Sequence, residues 1–159
     1  MIVEVNESNI GQAARIHSES WIESHKSFCS ADSIAKHSAV HQEAYLRKEM
    51  QAGKKVYMLT DDKPAGIVSV WDNLIENLYV LPDRQHMGYG TMLLTFAMRR
   101  CQGTPVLWIL NSNKPAYTLY SKYGFVKTGN QKRLSDTLSE IEMKYDGGAG
   151  LPKCPDGSL

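Results

Sequence analysis

The sequence predicts a mixed α/β domain in which helices flank a mostly antiparallel sheet. Strand-like and helix-like segments alternate along the 159 residues, and three successive strand-like segments are joined by short turns, as antiparallel neighbours are. A later segment, residues 106–110, is apolar at every position, which is typical of a strand covered by helices on both faces. Together these observations predict the order β-α-α-β-β-β-α-β-α-β-β.

The first elements in this order are a short strand and two helices. The alternation of apolar and polar residues over 2–6 predicts the strand, and apolar residues at helical spacing over residues 7–25 predict the first helix. Asp32-Ser33 as a cap and Ala52-Gly53 as a stop predict a second helix over residues 34–50. We expect the first helix to bury the face formed by Ile10, Ala13, Ala14, His17 and Trp21.

The remaining elements follow from β-branched, aromatic and apolar runs and from the Gly and Pro residues between them. The three joined strands are predicted at residues 55–60, 65–71 and 74–80. They are followed by a helix over residues 91–101, the strand 106–110, a short helix between Asn113 and Gly124, and final strands at 125–128 and 138–145 with a loop over 129–136.

A glycine turn stands between the third joined strand and the next helix, with the sequence Gln85-His86-Met87-Gly88-Tyr89-Gly90. A turn from a strand into a helix start exposes several backbone N–H groups at the positive end of the helix dipole. Glycine in such a turn can serve only to permit a positive φ. The exposed N–H groups nevertheless suit a phosphate-bearing ligand.

A second motif covers residues 113–125 and reads N-K-P-A-Y-T-L-Y-S-K-Y-G-F, a short helix with a cap and a stop. Together the two motifs resemble those of the GNAT superfamily of acetyl-CoA-dependent N-acetyltransferases, Q/R-x-x-G-x-G/A and N-x-x-A-x-x-x-Y-x-x-x-G-F. The first pattern is filled by Gln85, Gly88 and Gly90, and the second by Asn113, Ala116, Tyr120, Gly124 and Phe125.

The resemblance implies a GNAT-type fold that uses acetyl-CoA as cosubstrate and no metal. In that family the strand before the glycine turn splays away from the next strand, and the freed backbone groups pair with the pantetheine arm. The N–H groups of residues 87–91 would hold the pyrophosphate. The implied cofactor-binding residues are Leu78, Tyr79, Val80, Gln85, His86, Met87, Gly88, Tyr89, Gly90, Thr91, Asn113 and Ala116.

The family pattern also selects Tyr120 as the general acid that protonates the leaving thiolate. A phenol with a pKa of about 10 would protonate a thiolate of about 8.5 at a cost of roughly 2 kcal/mol, which is small against the barriers that enzymes lower. Spacing alone leaves Tyr117 and Tyr123 as rivals. Any of these tyrosines can instead be a core residue.

The attacking amine must lose a proton, so the reaction also needs a base. Glu76 lies on the strand before the glycine turn with the parity of Leu74, Leu78 and Val80, and a carboxylate on an apolar strand face is unusual. By resemblance, a strand carboxylate acting through a water makes Glu76 the candidate base; the alternative is a glutamate that pairs with a lysine or faces solvent. A backbone N–H around Tyr79 or Val80 is the candidate stabiliser of the oxyanion.

The resemblance places the acceptor pocket at the first two helices and the loop between them. A peptide α-amine is roughly 10% neutral at pH 7, whereas a lysine-like amine is roughly 0.04% neutral. A small-molecule or peptide amine is expected, and a protein terminus, a polyamine, an aminoglycoside and a free amino acid all stay open. The candidate residues, each of which could instead serve packing, are His17, Ser20, Trp21, Ser24 and His25.

Length and composition set further bounds. One domain is expected over residues 1–145, followed by a flexible, Gly- and Pro-rich tail over residues 146–159. A formal net charge of +1 gives no general attraction to nucleic acid or to anionic membranes. The three cysteines, one of them Cys154, lack a paired spacing, and no apolar run approaches membrane-spanning length, so we expect a soluble, cytoplasmic protein. Whether it is a monomer or a homodimer stays open.

Other functions are weighed against this one. His37 and His41 share a helical face but lack the Glu of the zinc-binding H-E-x-x-H pattern, so we expect no metal site. A non-catalytic acetyl-CoA-binding sensor or interaction module is the alternative to an enzyme, and the presence of Tyr120 counts against it. A domain whose glycine turn binds no cofactor is a third possibility.

Overall fold

The computed structural model describes residues 1–147 as one sheet flanked by helices. Most of the expected tail, with Cys154, lies outside the described residues. The elements are β1 (Ile2–Glu4), α1 (Ile10–His25), α2 (Ala31–Ala35), α3 (Ala39–Gln51), β2 (Lys55–Thr60), β3 (Pro64–Trp71), β4 (Leu74–Val80), a 3₁₀ turn (Pro82–Arg84), α4 (Tyr89–Arg100), β5 (Val106–Leu110), α5 (Lys114–Lys122), β6 (Phe125–Arg133) and β7 (Ser139–Tyr145).

The sheet has the strand order β1-β2-β3-β4-β5-β7-β6. Its neighbouring strands are antiparallel except β4 and β5, which run parallel. The expected mixed α/β fold with a mostly antiparallel sheet is therefore confirmed. The parallel pair is joined at only two positions, Leu74 with Val106 and Ile75 with Leu107. Beyond these positions β4 and β5 separate, as the sequence resemblance implied.

The two faces of the sheet bury separate cores. On one face, called the α4 face below, α4 and α5 pack over residues such as Val68 and Ile75. On the other, called the α1 face, α1 and α3 pack over residues such as Ile67. Successive strand side chains alternate between these faces, so the position of a residue along β3 or β4 decides which core it enters.

The single helix predicted over residues 34–50 is wrong, because the structure has α2 and α3 in its place. Ser38 interrupts the helix: its ψ is 159°, and its hydroxyl accepts a hydrogen bond from the N–H of His41 at the start of α3. Ser30 caps α2 through Ser33 in the same way. Serine side chains compete with helical carbonyls for backbone N–H groups, and hydrophobic periodicity does not report that competition.

Two predicted boundaries also differ from the structure. The helix α4 begins at Tyr89, before the predicted start, because Gly88 adopts a left-handed conformation with φ of 85° directly before it. The strand β6 continues to Arg133, because Gly129 lies inside a strand irregularity with φ of 94° and does not begin the loop. Glycine within a strand often marks such a bulge.

An irregularity in β4 changes which of its side chains share a face. Asn77 has a positive φ of 51°, and the register of β4 with β3 shifts there. As a result, Glu76 and Tyr79 lie on the α1 face, whereas Leu78 and Val80 pack on the α4 face. The expectation that Glu76 shares a face with Leu78 and Val80 is therefore wrong, since one extra residue reverses the alternation.

Candidate active site

A cleft of about 570 Å³ opens where β4 and β5 separate. Residues 75–80 of β4 form one wall, residues 107–110 of β5 and the start of α5 form the other, and α1 closes one end. Beyond the two positions shared with β5, this edge of β4 has no strand partner within residues 1–147. A strand edge that lines a cleft can bind an extended polar ligand through backbone hydrogen bonds.

The three β4 residues expected to contact pantetheine, Leu78, Tyr79 and Val80, all line this cleft. The Val80 carbonyl accepts hydrogen bonds from the Ser20 hydroxyl at 3.2 Å and from the Gln85 amide at 3.3 Å. These side-chain donors replace a strand partner at the Val80 carbonyl. Because the N–H and C=O of one strand residue point to the same side, the Val80 N–H also faces the open edge.

The glycine turn lies where β4 gives way to α4. His86 and Gly88 both have left-handed backbones, with φ of 62° and 85°. The N–H groups in the first turn of a helix have no acceptor within it, and here they belong to Tyr89, Gly90 and Thr91. The side chains of residues 85–87 are exposed. The turn thus presents backbone donors to solvent at a helix N-terminus, where an anion is stabilised.

Gly90 lies in the first helical turn, where no positive φ requires a glycine. A Cβ added to it would lie 3.6 Å from Cδ2 of Leu119, which is an ordinary contact. A helical glycine costs up to about 1 kcal/mol relative to alanine, so neither backbone geometry nor packing accounts for it. The space left beside the helix start would allow a phosphate group to approach the backbone closely.

Two side chains at the turn serve structure. Tyr89 is only 7% exposed, packs in the α4-face core and donates its hydroxyl hydrogen to Asp61 at 2.6 Å. Only its backbone N–H is therefore available to a ligand. Arg84 is held by Asp62 in an ion pair of 2.7 Å, so it is not free to neutralise a phosphate at the turn.

Asn113 and Ala116 both line the cleft at the start of α5. The side-chain oxygen of Asn113 accepts a hydrogen bond from the N–H of Ala116 at 3.1 Å. Asn113 is therefore a helix cap, which holds the N-terminus of α5 at the cleft wall.

Tyr120 is the one tyrosine of α5 and its C-cap that the described cleft lining includes. Its side chain is 8% exposed, and its ring packs at 6.0 Å, centroid to centroid, from Phe125. Burial alone raises the pKa of the Tyr120 phenol to about 12, so the phenol carries its proton at neutral pH. The rival Tyr117 is 40% exposed beneath the Lys127 ammonium, and Tyr123 packs in the α4-face core.

Glu76 lines the cleft and also forms an ion pair with Lys54 at 2.5 Å. Lys54 pairs with Glu49 of α3 as well, and its own side chain is 10% exposed. The lysine pairing that the sequence left as an alternative is therefore present. Only Oε2 of Glu76 is bound; Oε1 makes no hydrogen bond to the described part of the chain. That oxygen can accept a hydrogen bond from a water or a ligand.

A second cavity of about 310 Å³, called the α1–α3 pocket, lies on the α1 face between α1, α3 and β4. Trp21, Asn77 and Tyr79 line both this pocket and the cleft. The two cavities therefore meet at the irregularity in β4. The other lining residues, from α1, α3 and the break before α3, are His17, Lys36, His37, His41, Gln42 and Tyr45.

The residues expected to bind the acceptor are divided between the two cavities. The indole of Trp21 is stacked between two imidazoles, His25 at 4.0 Å and His37 at 3.4 Å between ring centroids. The stack joins α1 to the break before α3. Both cavities contain Trp21, the α1–α3 pocket contains His17, and the cleft contains Ser20, Ser24 and His25.

His17 is 4% exposed and its ring stacks on Tyr79 at 4.9 Å. Its Nδ1 is buried without a hydrogen-bond partner in the described chain. Burial, assisted by the nearby His37, lowers the pKa of His17 to about 4, so the imidazole is neutral at pH 7. An unpaired buried polar atom costs about 1–3 kcal/mol, a cost that core packing does not explain.

Sequence reasoning missed several residues of these cavities. Asn77 offered a signal, because Asn tolerates the left-handed conformation better than most residues and is rare inside strands. Lys36 and Gln42 offered none, since both stand in the segment predicted as one helix. Further missed residues include Tyr45 in the pocket and Trp108 and Glu140 in the cleft.

The described residues offer neither a cluster of metal ligands nor a membrane-spanning helix. Residues 1–147 contain no group of three or more His, Cys, Asp or Glu side chains arranged to hold a metal ion. The Nδ1 atom of His37 forms a hydrogen bond with the Ser33 carbonyl oxygen at 2.8 Å, and that of His41 forms one with the Ser38 hydroxyl at 2.7 Å. Among the described helices, none combines the length and the apolar character that crossing a membrane requires.

Comparison with known proteins identifies related folds and domains. The protein-family model of the acetyltransferase (GNAT) domain matches residues 25–146 of this chain. No match was found among curated protein sequences.

Among solved structures, PaiA N-acetyltransferase from Thermoplasma acidophilum in complex with coenzyme A is similar, with a TM-score of 0.65, 19% identity, and coverage of 91% of this chain and 98% of that one. A Salmonella typhimurium protein described as an acetyltransferase with its cofactor acetyl-CoA has a TM-score of 0.67, 18% identity and 91% coverage of both chains. A GCN5-related N-acetyltransferase from Rhodopseudomonas palustris is similar with a TM-score of 0.68 and 22% identity. The match covers 91% of this chain and 93% of that one.

Proposed function

Because this chain belongs to the GNAT acetyltransferase family, we propose that it transfers the acetyl group of acetyl-CoA to a primary amine by direct attack, with Tyr120 as general acid. Residues 1–145 would form the one catalytic domain. The observation that carries the proposal is the path along the open edge of β4, which reaches Gln85 at the beginning of the glycine turn and has Tyr120 on its opposite wall.

The residues of this path fit the cosubstrate. Backbone groups of Leu78 and Val80 on the open β4 edge suit the amides of a pantetheine arm. The first-turn N–H groups of α4 suit its diphosphate, and Gly90 gives the approach room. A cavity of about 570 Å³ is in the range of ligand-binding clefts. When bound, acetyl-CoA supplies the thioester that the amine attacks.

Tyr120 would give its proton to the sulfur as the carbon–sulfur bond breaks. The raised pKa of the Tyr120 phenol keeps the proton on the group that would donate it. With unshifted pKa values the transfer to a thiolate would cost roughly 2 kcal/mol. Burial raises the pKa of a thiol in the same direction as that of a phenol.

Glu76 would accept the proton that the amine loses, through a water bound at its free Oε1. The ion pair with Lys54 would fix the orientation of the carboxylate while Oε1 stays available. The backbone N–H of Val80, which faces the open edge, is the better candidate for the oxyanion donor than that of Tyr79, because alternation turns the Tyr79 N–H toward β3.

Binding and turnover test the proposal in two steps. Acetyl-CoA should raise the melting temperature and bind in calorimetry, since a ligand specific for the native state stabilises it. Release of free thiol should then depend on an added amine. Absence of acetyl-CoA binding at millimolar concentration would refute the proposal, and binding without amine-dependent thiol release across a broad amine panel would indicate a cofactor sensor.

A further inference from the structure

The α1–α3 pocket offers a charge pattern that discriminates between amines. Lys36 is the one lysine or arginine of its lining, and no carboxylate lines it in the part of the chain described here. Lys36 also has no ion-pair partner among residues 1–147. Glu49 and Glu76, whose charges act on the lining residue Tyr45, are both bound by Lys54. An additional cationic group in the pocket would have no counter-charge.

The aromatic side chains of the pocket also favour an anionic ligand group over a cationic one. A cation is attracted to the face of an aromatic ring, whereas ring edges are positive. Both faces of the Trp21 indole are covered, one by His25 and one by His37. Tyr79 has one face stacked against His17. The indole therefore offers its edge to a pocket ligand, and an anionic group suits that edge better than an ammonium does.

Two polar side chains in the lining lack partners among the described residues. Gln42 is 3% exposed as a residue, and its amide, which is not fully buried, makes no hydrogen bond there. The Nδ1 of His17 is fully buried and likewise unpaired. Buried polar groups are normally hydrogen-bonded. The Gln42 amide can donate two hydrogen bonds to an oxygen-bearing ligand group, which is a second, independent indication that this pocket holds a polar ligand.

We propose that the acceptor is a small primary amine that carries an anionic oxygen group at the end remote from the amine, and that this group lies in the α1–α3 pocket near Lys36 and Gln42. The inference rests on the acetyltransferase function proposed above. The amine end would lie at the junction with the cleft, where Glu76 takes its proton. The nitrogen then forms a bond to the acetyl carbon, the carbon–sulfur bond breaks, and Tyr120 protonates the sulfur.

Three probes with one skeleton isolate the charge: 4-(aminomethyl)benzoate, 4-(aminomethyl)benzamide and 4-(aminomethyl)benzylamine. Each has a reactive amine on a flat ring, and the far end is anionic, neutral or cationic. We expect kcat/KM from thiol release to decrease in that order. Calorimetry of the same probes with the protein should give the same order of affinities, so the ranking is measured even where turnover is slow.

Lys36→Gln removes the charge at similar size and is compared with Lys48→Gln, an exposed lysine of α3 outside the pocket. We expect Lys36→Gln to lower kcat/KM for the benzoate about 5-fold, the upper end of the range for one exposed charge pair, and to leave the benzamide unchanged. Lys48→Gln should change neither.

A cationic probe that binds and reacts best, equal affinities for all three probes, or an equal loss for all three in Lys36→Gln would overturn the inference. Those results would leave the acetyltransferase function intact, because acetyl-CoA binding and amine-dependent thiol release would persist. Loss of acetyl-CoA binding would instead contradict the function itself.

Discussion

The two cavities of this protein are built in different ways. The cleft between β4 and β5 and the glycine turn that follows β4 offer backbone groups, at an open strand edge and at a helix start within residues 74–125. The α1–α3 pocket depends on side chains from α1, the break before α3, α3 itself and β4. A backbone site needs only a few residue types at fixed spacing, whereas a side-chain pocket can be built from many sequences. The first is therefore suited to a common ligand and the second to a particular one.

The largest expected effect lies on the cleft side. Tyr120→Phe removes the proposed proton donor without changing the ring, and we expect kcat to fall about 100-fold or more, the usual range for a general acid. The affinity for acetyl-CoA, measured by calorimetry, should stay within about 2-fold, because the proposed diphosphate and pantetheine contacts are backbone contacts. Tyr117→Phe is the matched control. Unaltered turnover of the best amine by Tyr120→Phe would exclude Tyr120 from the reaction.

The next effect concerns the pocket and is a dependence of stability on pH. The folded pKa of His17, about 4, lies below its unfolded value of 6.5. The unfolded state therefore binds the proton more tightly, and stability that is present above pH 6.5 is lost as the pH falls toward 4. We expect the free energy of unfolding to drop by about 2 kcal/mol between pH 7 and pH 5 from this residue.

Urea unfolding at the two pH values measures this drop. His25, whose pKa burial also lowers, adds to it in the same direction. His17→Phe should remove most of the dependence, and His41→Gln, at an exposed histidine, should leave it unchanged. A full pH dependence in His17→Phe would show that His17 is not the group responsible.

A smaller effect tests the link between the two cavities. We expect Glu76→Gln to lower kcat/KM about 10-fold at pH 7, because the amine must then lose its proton without a base. The defect should shrink as the pH rises toward the amine pKa, which a merely structural loss would not do. Glu49→Gln breaks the other ion pair of Lys54 and serves as the control. A defect that is equal at all pH values would assign Glu76 to structure alone.

The smallest effect separates function from stability at a single glycine. Gly90→Ala should stabilise α4 by up to about 1 kcal/mol, since alanine is the better helix former, yet weaken acetyl-CoA binding about 5-fold by occupying the approach to the backbone. Gly11→Ala in α1, where an added Cβ would meet only Glu43 at 3.7 Å, should stabilise α1 and leave the affinity for acetyl-CoA unchanged. Unchanged affinity in Gly90→Ala would remove the assigned role of this glycine.

The sequence alone predicted the cleft side well for a local physical reason. Glycines, caps and apolar runs act over a few residues, so the turn into α4, the cap at Asn113 and the buried strand β5 were all predicted near their observed places. The sequence-based prediction was wrong where two local signals compete. Ser38 divides the predicted helix, and the bulge at Asn77 places Glu76 on the α1 face, opposite to Leu78 and Val80.

The composition of the α1–α3 pocket was decided by tertiary structure. Lys36 and Gln42 are remote in sequence from Asn77 and Tyr79; the packing of α1 and α3 over β4 brings them around one cavity. Burial likewise keeps the His17 imidazole neutral at pH 7, and the ion pair of Glu76 with Lys54 is a contact between residues distant in sequence. The sequence thus determined the fold and the glycine turn, because local backbone preferences specify them, while only three-dimensional packing determined which side chains line the α1–α3 pocket.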